Sequence, residues 1–124
     1  MSNLQGWEAW KERLRQGEEV TFGGKGNSMV PKIRSGEKCT YRAVLSRAHW
    51  VAGGQYLEPT DLQVGDMVWC HVGRWHFTHL LTGIRTTKGE TLYQISNNHG
   101  GVNGWIPGSR IFGRVIRVGD REIP

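Results

Sequence analysis

The sequence predicts a mostly β domain: about six antiparallel strands coiled into a partly open barrel, with one α-helix at the N-terminus. Two observations carry this. The hydrophobic period is close to 3.6 before Gly17 and close to 2 after it. The chain also has 18 glycines in 124 residues, more than double the usual share, which suits many turns and bulges. That length fits one domain over 1–124, with a helix in 1–17 and a β core over 18–118.

Each element has its own signal. "GWEAWKERLRQGEE" reads as an amphipathic helix. Trp7, Trp10 and Leu14 recur at i, i+3 and i+7, charged residues cover the other face, and Gly17 is a natural stop. "EEVTFGG" (18–24) reads as a strand ending in glycines, and "KCTYRAV" (38–44) as a second. "DMVWCHV" (66–72) and "RWHFTHLLTGIRT" (74–86) form a hairpin around Gly73 and Arg74. "ETLYQIS" (90–96) follows across "TKG", and "RIFGRVIRV" (110–118) closes the domain. Two stretches read as irregular: 45–63, holding "AHWVAGGQYLEP", and 97–109, "NNHGGVNGWIPGS". Loops this long in a compact domain are often functional, and both are expected to flank a cleft.

Composition narrows the function. No apolar run approaches the ~20 residues needed to span a bilayer, so no membrane partner is expected. Cys39 and Cys70 follow no CxxC pattern and no secretion signal precedes them, which points to two reduced thiols in a cytoplasmic protein. No cofactor is called for. A metal site is disfavoured because Cys70 and His71 are neighbours in a strand and face opposite ways, as do His76 and His79.

The sharpest local feature is "GKGNSMVPKIR" (24–34). Gly24 and Gly26 let the backbone turn closely around Ser28, and Pro31 stiffens the exit. Backbone N–H groups at Asn27 and Ser28 can then converge on a developing oxyanion. The same residues also suit a plain turn in which Ser28 caps a short helical segment. A serine nucleophile needs a base. In "WHFTHLL" alternation places Trp75, Phe77, His79 and Leu81 on one face, so His79 is the histidine with apolar neighbours on both sides. A partly desolvated imidazole is neutral near pH 7 and can accept a proton.

Taken in order, "GNSMVPKIRSGE", "LQVGDMVWCHV", "HFTHLLTGI", "ISNNHG" and "IFGRVIRV" resemble the blocks of the LexA-type and signal-peptidase serine protease superfamily, over roughly residues 20–118. The resemblance implies that fold for the β core. It implies Ser28 as nucleophile, Gly26 and Asn27 as the oxyanion turn, and Met29 with Pro31 at the substrate cleft. Asp66 in "VGD" matches a structural turn. His79 stands where LexA-type members carry lysine, so the chain is more similar to the Ser–His signal peptidases. Histidine is a natural substitute, since a lysine must be buried to act as a base. Ser96 replaces the aspartate of the related "G-D-N-N" segment, leaving Asn97 or Asn98 to orient His79 through an amide oxygen. The function implied is a stand-alone peptidase of bacterial or phage type, cleaving a peptide or protein substrate bound as an extended strand.

Two other readings stay open. The fold could serve as a catalytically inactive protein-binding module. A nucleic-acid-binding role draws on the net charge of +5 with Trp50, Trp69, Trp75, Trp105 and Tyr56, although the cations are scattered rather than clustered.

Overall fold

A computed structural model describes residues 6–51 and 54–123, with side chains for all of these except 47–51 and 54–57. One helix, α1 (Trp7–Arg15), precedes ten strands. They are β1 (Val20–Gly23), β2 (Lys38–Ala43), β3 (Ser46–Val51), β4 (Gly54–Pro59) and β5 (Met67–Val72). The rest are β6 (Trp75–Thr87), β7 (Glu90–Ser96), β8 (Val102–Pro107), β9 (Ile111–Val118) and β10 (Arg121–Glu122). The main sheet runs β1-β2-β9-β5-β6-β7-β8, antiparallel throughout, with β10 added to β9. It curls into a half-barrel. The curl is visible in one contact: Tyr41 on β2 and Thr78 on β6 share a hydroxyl hydrogen bond of 2.7 Å although β9 and β5 lie between their strands.

The expected helix and strands are present. Two of the expected loops are not. Residues 45–63 contain the β3–β4 hairpin, a two-stranded sheet of its own, and 97–109 contain β8, paired along β7. The six strands expected from the sequence become ten by the addition of β3, β4, β8 and the short β10.

β5 explains the compactness. Its first four residues, Met67 to Cys70, are all buried, because the strand has packing on both faces. Met67 and Trp69 join a core with Leu14, Phe22, Tyr41 and Val115. Val68 and Cys70 join another with Leu81, Tyr93, Ile95 and Ile106. A strand covered on both sides reads as a continuous apolar run rather than an alternating one. The helix seals the first core: Leu14 is buried, Trp10 stacks on Phe22 with ring centroids 4.3 Å apart, and Trp7 stacks on His76 at 4.4 Å.

Candidate active site

The segment between β1 and β2 carries Ser28 and is built as a tight turn. Gly26 has φ 122°, a region that L side chains rarely adopt. Its N–H donates to Ser35 Oγ at 3.0 Å. Val30 N–H reaches Asn27 O at 3.3 Å and Ile33 N–H reaches Met29 O at 3.0 Å. Residues 27–33 therefore form successive turns, and the Val30–Pro31 peptide is cis. Met29 drives the turn inward, since its side chain is buried in the core. Its neighbour Ser28 is left exposed at the rim.

The turn is clamped from outside by the β7–β8 connection. Asn98 N–H donates to Ser28 O at 2.8 Å and Asn98 Nδ2 to Val30 O at 3.1 Å. His99 Nε2 donates to Asn27 O at 3.0 Å. Asn97 shapes the connection itself, its Oδ1 accepting from the N–H groups of His99 and Gly101. Among the described residues the Asn27 and Ser28 N–H groups have no acceptor, so both are available to a ligand oxygen.

His79 sits on β6, opposite Val68 of β5. It is only 4% exposed, stacked on Phe77 at 4.6 Å. Ser28 Oγ and His79 Nε2 are 2.9 Å apart. The other ring nitrogen, Nδ1, lies 2.6 Å from Asn103 Oδ1. An amide oxygen can only accept, so Nδ1 carries the proton and Nε2 is left bare to accept the Ser28 hydroxyl. Burial pushes the His79 pKa below its ordinary value, and the Asn103 hydrogen bond opposes that in part. The ring is therefore neutral at pH 7. Serine, imidazole and amide form a relay in the order that nucleophilic catalysis requires.

The sequence-based candidates divide accordingly. Ser28 and His79 meet, with Gly26 and Asn27 shaping the turn beside them. Neither Asn97 nor Asn98 hydrogen-bonds His79: Asn98 holds the serine turn, Asn97 shapes the β7–β8 connection, and Asn103 orients the ring instead. Asn103 lies on β8, in the stretch read as a loop, so nothing placed it beside a histidine. Asp66 is structural: its Oδ2 accepts from Gln63 N–H at 2.8 Å and its carbonyl accepts from Leu81 N–H at 2.8 Å.

A cleft of about 160 Å³ opens at Ser28 and His79, floored by Met29 and walled by Trp7, Phe22, Tyr41 and Trp69. Pro31 is exposed and does not line it. Among the described residues, neither long stretch expected at the cleft contributes to its lining, although Asn98 and His99 brace the serine turn. Of the aromatics named for nucleic acid, Trp69 is fully buried, Trp105 lies under the Arg85 guanidinium at 4.3 Å, and Trp75 is exposed. The side chains of Trp50 and Tyr56 lie outside the described residues. Among the described residues no three His, Cys, Asp or Glu side chains converge as metal ligands, and no helix is long and apolar enough to cross a membrane. Burial pushes the Cys39 thiol up to about 11 and the Cys70 thiol up to about 12, so both stay protonated near pH 7.

Set against family models, curated proteins and solved structures, the chain matches none.

Proposed function

We propose that this protein is a serine peptidase of the LexA and signal-peptidase type, working through Ser28 and His79. One observation carries the reading: Ser28 Oγ is 2.9 Å from a ring nitrogen of His79 whose partner nitrogen is fixed by Asn103. Surface serines meet histidines by chance, but a buried ring with its tautomer set for proton acceptance is a costly arrangement without a use.

In the reaction, Ser28 Oγ attacks the scissile carbonyl carbon as its proton passes to His79 Nε2. The developing oxyanion faces the Asn27 and Ser28 N–H groups. The imidazolium then protonates the leaving amine, and water, activated by the same ring, releases the acyl group. Two sheet edges lead to the cleft. β1 pairs only with β2, and residues 75–79 of β6 pair only with β5. Gly23 from one edge and Phe77 to His79 from the other line the cleft, so an extended peptide between them finds main-chain partners.

Labelling by a fluorophosphonate, followed by mass spectrometry, tests the reading. Modification at Ser28 that disappears in Ser28→Ala and falls at least about 100-fold in His79→Ala is expected. A protein that resists the reagent at every pH, while circular dichroism shows it folded, would be a binding module rather than an enzyme.

A further inference from the structure

The helix α1 does more than cap a core. Trp7, at its first turn, lines the same cleft as Ser28 and His79. Its ring stacks on His76 with an interplanar angle of 5° and meets Phe22 edge-on at 5.6 Å and Trp69 at 5.5 Å. With Trp10 also edge-on at 5.4 Å, four rings hold it in place, yet it remains 40% exposed. A tryptophan so fixed and so uncovered still has apolar surface to offer. Behind it, Trp10, Phe22 and Tyr41 form a continuous stack, with both centroid spacings 4.3 Å.

We infer that Trp7 is a wall of the subsite that receives the substrate side chain next to the scissile bond, and that this subsite selects an aromatic side chain the size of phenylalanine. The inference rests on the peptidase reading and adds the substrate class to it. Size and chemistry agree. The cleft measures about 160 Å³, and an apolar cavity of roughly 150 Å³ holds one benzene ring. The exposed aromatic wall is the Trp7 ring, backed by the buried Phe22, Tyr41 and Trp69, while Lys25, Arg34 and Glu37 also line the cleft; a further ring in offset or edge-on contact with Trp7 is favoured over an aliphatic chain of equal area. Tyr41 adds no competing polar demand, because its hydroxyl is already paired with Thr78. An alanine side chain would leave the space empty, whereas a ring fills it. Discrimination between such side chains in an apolar pocket runs from about 10-fold to about 200-fold.

Trp7 is 21 residues before Ser28 and belongs to α1, so the specificity wall is a separate element from the sheet that carries His79. Exchanging that wall changes what is accepted without touching Ser28, His79 or Asn103.

Peptidyl diphenyl phosphonates that differ only in a phenylalanine-like, leucine-like or alanine-like side chain beside phosphorus read this directly. Ser28 Oγ bonds to phosphorus, its proton passes to His79 and phenoxide leaves, so the rate of phosphonylation reports the fit of the side chain. The ratio of rates between two probes on one sample is independent of the folded fraction. The native protein should react at least about 10-fold faster with the aromatic probe than with the alanine-like one. Trp7→Ala should bring that ratio down toward 1, and Trp7→Phe, which keeps the stack on His76, should retain most of it. An equal response to all probes, or a ratio unchanged in Trp7→Ala, overturns the inference and leaves the peptidase reading standing. If Ser28 is modified by none of them, nor by the fluorophosphonate, the peptidase reading fails and the subsite goes with it.

Discussion

Replacing the Asn103 amide by a carboxylate tests the relay by its charge alone. Asn103→Asp is nearly isosteric and keeps an acceptor oxygen 2.6 Å from His79 Nδ1, but it adds a full negative charge. A carboxylate about 4 Å from the centre of an imidazolium is worth about 4 kcal/mol at an effective dielectric of 20. Asn103 lies on an exposed edge strand, so solvent takes part of this, and a rise in the His79 pKa of about one to three pH units is the expected range. The sign follows from which form is active. Burial holds the native His79 below its ordinary value, so the neutral base is present down to mildly acidic pH. In the variant the proton leaves only at higher pH. The rate of Ser28 labelling, measured from pH 5 to 9, should therefore rise later by about one to three units in Asn103→Asp. Above that new midpoint the plateau should be higher, because the imidazolium formed during attack now has a charged partner. The His79 Cε1–H resonance should titrate with the same midpoint. A rate profile that keeps its native midpoint in the variant would mean that the group being titrated is not the ring Asn103 holds.

Three further outcomes follow from the structure. Asn98→Ala removes the Nδ2 bond to Val30 O and loosens the turn that presents Ser28; it should cost about 1 kcal/mol in urea unfolding but slow Ser28 labelling about 10- to 100-fold. Gly108→Ala places a Cβ against the Pro59 ring and the edge of Tyr93, both buried, and should lower stability by about 1–3 kcal/mol, read as a lower urea midpoint with an unchanged slope. Burial, with help from Lys11 and His71, pushes His76 down to about 4, so the folded protein resists a proton that the unfolded chain accepts. Stability present above pH ~6.5 should then be lost as pH falls toward about 4. Part of that loss in Tm should vanish in His76→Asn, which can still accept the Trp69 indole N–H that reaches His76 Nδ1 at 3.1 Å.

What the sequence disclosed depended on how each segment is buried. Trp7, Trp10 and Leu14 announced the helix because one face meets a core and the other meets water. The alternation in "WHFTHLL" placed His79 correctly with Phe77 and Leu81, since a half-buried strand must alternate. β8 was hidden because it is an edge: it pairs only with β7, so Asn103, Gly104 and Pro107, which would break a central strand, are tolerated there. That is also why Asn103 escaped notice beside the more conspicuous Asn97 and Asn98. The β3–β4 hairpin was hidden for a related reason. It stands outside the main sheet, and Gly53, Gly54 and Pro59 punctuate it like a loop.

The order of strands also bears on when Ser28 and His79 are brought together. β9 is the last long strand to leave the ribosome, yet it lies in the middle of the sheet, bonded to β2 on one side and β5 on the other. Before it arrives, the half that carries Ser28 and the half that carries His79 share no ladder. Until translation passes Val118, the ladder that joins the Ser28 half of the sheet to the His79 half is therefore incomplete, and only contacts such as Asn98 to Ser28 and Tyr41 to Thr78 can link them.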